Sequence, residues 1–154
     1  MNKYELLSNT DLVELAEMMG LNITAISKDK LKYLKNIGDG VVLNLDSIGG
    51  GTHWVALSIL GKDACYFDSF GQEPPMSVIR YCRGKTLIYN EFIIQNLNQE
   101  ACGYYCLAFL HFMYSNKSVT NMRYKLNSFI KPFDLDDTTK NDNILQSYFK
   151  RIRI

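Results

Sequence analysis

The chain has 154 residues, 47% hydrophobic and 21% charged, which is usual for one compact domain and excludes disordered and fibrous classes. A formal net charge of +1 gives no overall field to recruit nucleic acid or an anionic membrane. Lysines 28, 30, 32 and 35 cluster early, and Lys150, Arg151 and Arg153 lie near the end; both groups read as solvated faces.

No signal-peptide pattern opens the sequence. No apolar run approaches the ~20 residues of a bilayer span, and the longest, 104–114, contains His111. The expectation is a single domain over 1–154, soluble and intracellular, with Cys65, Cys82, Cys102 and Cys106 reduced.

In chain order, Thr10 is positioned to cap a first helix. Leu12, Leu15, Ala16 and Met19 form its apolar stripe, and Gly20 ends it. A short helix is predicted over 27–36, with Leu31 and Leu34 inward, then a buried strand over 41–45. Gly49, Gly50 and Gly51 make a flexible break. Two β-rich runs, 52–60 and 63–71, flank Gly61-Lys62, which predicts a hairpin with glycine first in a type II′ turn. A short helix over 76–83, a strand over 86–94 and an apolar helix over Cys102–Ser115 follow, then amphipathic helices over 119–130 and 143–152. Strands and helices do not alternate strictly, so the class is α+β.

The hairpin register carries the first chemical argument. A two-residue loop places Leu60 opposite Asp63, hence Val55 opposite Asp68 and His53 opposite Phe70. His53 and Asp68 then become diagonal neighbours on one face, roughly 7–8 Å apart at the backbone. A carboxylate there can accept the Nδ1 hydrogen of the imidazole and stabilise its cation. Taken alone, His53 also fits a core histidine, and Asp68 a turn initiator.

Cys102 is the third member. A loop passes into the apolar helix at this residue, so its thiol sits near the positive end of the helix dipole, which favours the thiolate. Gly103 is expected to leave room beside the sulfur for a substrate backbone. Cys106 and Cys65 fit buried hydrophobes better. The spacing of Cys102, Cys106 and His111 is poor for zinc, no C-x2-C pair occurs, and no metal or cofactor is expected. Acyl transfer through a thiolate needs donors for the developing oxyanion. Gln95 and Gln99 are the two candidates, with Gln95 having more room to fold back.

The stretches Gly-Gly-Gly51-Thr-His53-Trp54, Tyr-Phe-Asp68-Ser-Phe-Gly71, Gln95 and Ala-Cys102-Gly103-Tyr-Tyr-Cys106 resemble the adenain-like maturation proteases of adenoviruses, virophages and polinton-type elements. The order His, acid, Gln, Cys is shared with the SUMO-specific proteases. The resemblance covers about residues 41–112. It implies an α+β fold with the cysteine helix buried against a central mixed or antiparallel sheet, catalytic roles for Cys102, His53 and Asp68, and an oxyanion role for Gln95. It further implies cleavage of capsid precursor proteins at glycine-rich, Gly-Gly-like sites, in the virion and the infected cell's cytoplasm. Asp68 departs from the glutamate of adenovirus enzymes and matches the SUMO-protease choice. The shorter chain leaves open whether a peptide activates it, the small charge argues against activation by DNA, and a monomer is expected. Trp54 either covers the His53–Asp68 pair or borders the substrate groove, with core packing the alternative; Gly51 and Gly103 are expected beside the substrate. The rival readings are a deconjugase of ubiquitin-like modifiers, an acetyltransferase on the same His-acid-Cys set, and a non-catalytic binding module.

Overall fold

Ser8, rather than Thr10, starts the first helix, α1 (Asn9–Met18). Its hydroxyl accepts the Asp11 N–H at 3.1 Å while the Asp11 carboxylate accepts the Ser8 N–H at 3.0 Å, a reciprocal cap that Thr10 has no partner to form. The computed structural model of the chain describes residues 4–45, 53–96 and 100–153. The glycine break at 49–51, including Gly51, and the rival donor Gln99 lie outside the described residues.

After α1 the chain forms β1 (Ile23–Ser27), which the sequence reading did not anticipate. The helix predicted over 27–36 contracts to a 3-10 segment, Lys28–Tyr33. Leu31 and Leu34 are three apart, a spacing that suits 3-10 geometry, and Leu34 is already extended. Then come β2 (Gly40–Asn44), β3 (Trp54–Leu60), β4 (Asp63–Phe67), α2 (Met76–Tyr81) and β5 (Thr86–Tyr89). Helices α3 (Cys102–Ser115), α4 (Met122–Ile130) and α5 (Asn141–Arg151) complete the fold.

The five strands form one sheet in the order β1-β2-β3-β4-β5. The outer pairs are parallel and the inner two antiparallel, so the class is α+β with a mixed sheet, as expected. Leu60 faces Asp63 and Ala56 faces Phe67, the register inferred from the turn. Gly61 has φ +61° and Lys62 does not share a positive φ, which distinguishes a II′ turn from I′.

Alternation along β3 and β4 divides the core. Trp54, Ala56, Cys65 and Phe67 pack with α1, α3, α4 and α5. Val55, Leu57, Ala64 and Tyr66 pack on the opposite face with Leu31, Ile37, Val78 and Cys82. Helix α3 is buried along most of its length, including Tyr105 to Leu110, which explains its nearly uniform apolar composition.

Candidate active site

His53 immediately precedes β3, and Asp68 immediately follows β4, so the hairpin delivers both to the same end of the sheet. Their side chains meet at 2.8 Å, His53 Nε2 to Asp68 Oδ1. The expected contact was through Nδ1. The ring instead stacks on Phe70, with centroids 4.6 Å apart and planes 17° from parallel, and turns Nε2 to the acid. Nδ1 is thereby left as the nitrogen for the thiol.

Cys102 begins α3 and is hydrogen-bonded to His53. Its sulfur also accepts the Trp54 N–H at 3.5 Å, across 48 residues of sequence. No side chain caps the helix at Ala101, so the positive end of the dipole faces the sulfur without a competing acceptor from a cap. The fold therefore brings together all three members of the predicted triad.

Burial by itself would lower the His53 pKa. The hydrogen bond to Asp68, then that to Cys102, and the charges of both outweigh it and raise the value to about 9. At neutral pH the ring is an imidazolium, the state that supports a thiolate beside it. Burial pushes up the thiols of Cys65, Cys82 and Cys106. In those three burial outweighs any nearby base, and of the four thiols Cys102 is the one paired with a histidine ring.

Asp68 is fully buried and fixed from several directions. Its Oδ1 also accepts the Phe70 N–H at 2.8 Å. Buried Asn90 grips its backbone twice, accepting the Asp68 N–H at 3.0 Å and donating to the Asp68 carbonyl at 2.6 Å. Sequence reasoning missed Asn90. Its role depends on the parallel pairing of β4 with β5, which no local pattern signals. The same clamp explains why the strand predicted to run to 94 ends at Tyr89.

Gln95 is fully buried and belongs to the same cluster. The Ser69 hydroxyl donates to its Oε1 at 2.6 Å, which fixes the NH2 end of the amide as the donor. The N–H groups of Ile94 and Gln95 both reach the Ser69 carbonyl, so the loop is stitched to the residue after the acid. Gly71 makes this possible. It has φ +70°, and a Cβ there would stand 2.6 Å from the Phe92 carbonyl carbon. The glycine after Asp68-Ser-Phe thus serves a close backbone approach.

Two of the residues expected beside the substrate are buried. Trp54 is 2% exposed, and its indole N–H donates to the Leu7 carbonyl at 2.9 Å. Its side chain packs in the core, the alternative held open for it, and its backbone N–H bonds the sulfur. Gly103 is buried too, and a Cβ there would meet Leu7 and Leu12 at 3.1 and 3.2 Å. Glycine at this position admits the packing of α1 and its leading segment.

No protein-family profile and no curated protein matches the chain. Solved structures do. The fold is that of a viral cysteine protease, the ASFV pS273R protease: its selenomethionine crystal structure superposes with a TM-score of 0.61 at 23% identity, covering 97% of this chain and 68% of the other. A second crystal structure of that protease gives 0.61 at 21% identity, covering 96% and 66%. The chain thus spans about two thirds of that protease's length. The Xanthomonas campestris effector XopD, solved bound to ubiquitin, superposes at only 0.48 and 13% identity, covering 98% and 93%, too distant to inform the site.

Proposed function

We propose that the protein is a thiol endopeptidase with Cys102 as nucleophile. The observation that carries this reading is one connected chain of contacts. Asp68 bonds the His53 ring at 2.8 Å, and the ring bonds the sulfur at the start of α3. In the proposed reaction the Cys102 thiolate attacks the scissile carbonyl, and His53 donates its proton to the departing amine. A water, deprotonated by His53, then hydrolyses the thioester. Gln95 and the Cys102 N–H stabilise the tetrahedral oxyanion.

Cleavage at glycine-rich sites is part of the proposal. Cys102 is 4% exposed, so a substrate with little side chain beside the scissile bond suits the approach to the sulfur. By resemblance to the adenain-like enzymes, the proposed substrates are capsid precursor proteins, and the proposed place of action is the virion and the infected cell. The Asp68 choice equally suits a deconjugase of ubiquitin-like modifiers, whose tails end in Gly-Gly.

Cleavage assays on a Gly-Gly-X peptide series and, in parallel, a ubiquitin-like activity probe test the proposal. Endopeptidase turnover on the peptides with a silent probe supports the maturation reading. Probe labelling without peptide turnover transfers the function to deconjugation. Cys102→Ala must be inactive in either assay, and retained activity would end the thiol mechanism.

A further inference from the structure

Helix α4 presents Met122, Lys125, Leu126 and Phe129 to the core, the i, i+3, i+4, i+7 pattern of a buried stripe. One of these four is a lysine. Lys125 is 3% exposed, and no described residue hydrogen-bonds or ion-pairs with its ammonium. The side chain is buried along its stem, while its ammonium keeps contact with solvent at an adjoining cavity, where a counter-charge can reach it.

Lys125 lines a cavity of about 130 Å³, together with Lys117, Ser58, Asp39 and the apolar Ile59 and Met113. Ser58 is itself nearly buried and stands opposite Cys65 in the β3–β4 register, on the sheet face that α4 covers. Asp39 is engaged elsewhere, its Oδ2 accepting the Asn22 N–H at 2.8 Å. Lys117 lies 4.6 Å from the centroid of the Tyr114 ring. The lining carries two cations, one carboxylate and the hydroxyl-bearing Ser58 and Tyr114. Burial also holds the Lys125 pKa below the usual lysine value, with Cys65 partly opposing the shift.

We propose that this cavity is a binding site for a small oxyanion, a phosphate or carboxylate group, held by Lys125 and Lys117 with Ser58 as a hydrogen-bond donor. The volume exceeds the ~30 Å³ share of one water several-fold, which leaves room for a tetrahedral or planar oxyanion. The bound anion supplies the counter-charge that Lys125 lacks and stabilises the fold by linkage. The site lies at the far end of β3 from His53 and does not depend on the peptidase reading.

The test is calorimetric titration and thermal unfolding of the full chain with inorganic phosphate, with acetate, and with chloride at matched ionic strength. Phosphate or acetate should bind and raise Tm where chloride does not, and the stronger of the two identifies the group. Lys125→Met keeps the side-chain volume and should weaken that binding about tenfold or more, the loss of one charge-assisted hydrogen bond. Lys117→Ala, at an exposed position, should weaken it while leaving the circular dichroism spectrum unchanged, and it carries the test if Lys125→Met does not fold. Equal Tm responses to all three salts would overturn the proposal. So would anion binding that Lys125→Met, or Lys117→Ala in its place, leaves unchanged.

Discussion

His53 and Asp68 stand 15 residues apart on one hairpin, whereas the thiol reaches them from a helix, and its bond to the Trp54 N–H spans 48 residues. The hairpin half is set by local geometry. A two-residue turn fixes the register, and the register places both side chains at one end of the sheet. The helix half is set by packing. α3 is held by its buried faces, by α1 and the residues leading into it against Gly103, and by the sheet face containing Trp54 and Ala56. Changes to the hairpin side should therefore act on proton chemistry, and changes around α3 on stability or on the position of the sulfur.

The largest effect belongs to the sulfur. Cys102→Ala should abolish turnover with an unchanged circular dichroism spectrum, whereas Cys106→Ala should keep turnover and lose roughly 1 kcal/mol of stability. The reverse result would show that the nucleophile has been misassigned within α3.

Asp68→Asn addresses the other half. In the native protein His53 is raised from the usual 6.5 to about 9, so the imidazolium, and the activity that needs it, should fail as pH climbs through about 9. The same elevation contributes stability that is fully present below the unfolded value and is lost as pH rises toward about 9. Removing the carboxylate should cut kcat/KM by about 10²-fold or more and draw the alkaline limb toward neutrality. An alkaline limb that stays near 9 would mean that His53 owes its charge to the thiol instead.

Gln95→Ala should lower kcat by about 10²-fold with KM little changed if its amide serves the oxyanion. A loss of that size in Gln99→Ala, with Gln95→Ala neutral, would move the role. Smallest is Trp54→Phe, which removes the indole bond to Leu7 and keeps the backbone N–H on the sulfur. It should cost about 1–3 kcal/mol in denaturant unfolding and leave KM unchanged; a raised KM would return the indole to the substrate groove.

The sequence was informative where a short-range rule operates. Gly61-Lys62 gave the turn, and the turn gave the register found between β3 and β4. The onset of α3 at Cys102 was likewise marked by the passage from polar loop to apolar run. It was least informative where one side chain serves a remote backbone. Asn90 falls inside the strand expected over 86–94, Gly103 reads as space for a substrate, and Trp54 as a cover, a groove wall or core. Each is decided by a partner 22 or more residues away or on another element, whether Asp68 for Asn90 or Leu7 for Trp54 and Gly103. β1 escaped notice for the same reason, since its parallel pairing with β2 has no turn to announce it.

What the amino-acid sequence determined by itself was the chemistry on offer: a thiol at a helix start, and an imidazole and a carboxylate in one hairpin register. What only the tertiary structure decided was their assembly, which ring nitrogen meets the acid and which residues hold the acid still. The physical reason is range. Turn and strand geometry act over a few residues, while the stacking of His53 on Phe70, the Asn90 clamp and the seating of α3 depend on packing between segments that meet only in the folded chain.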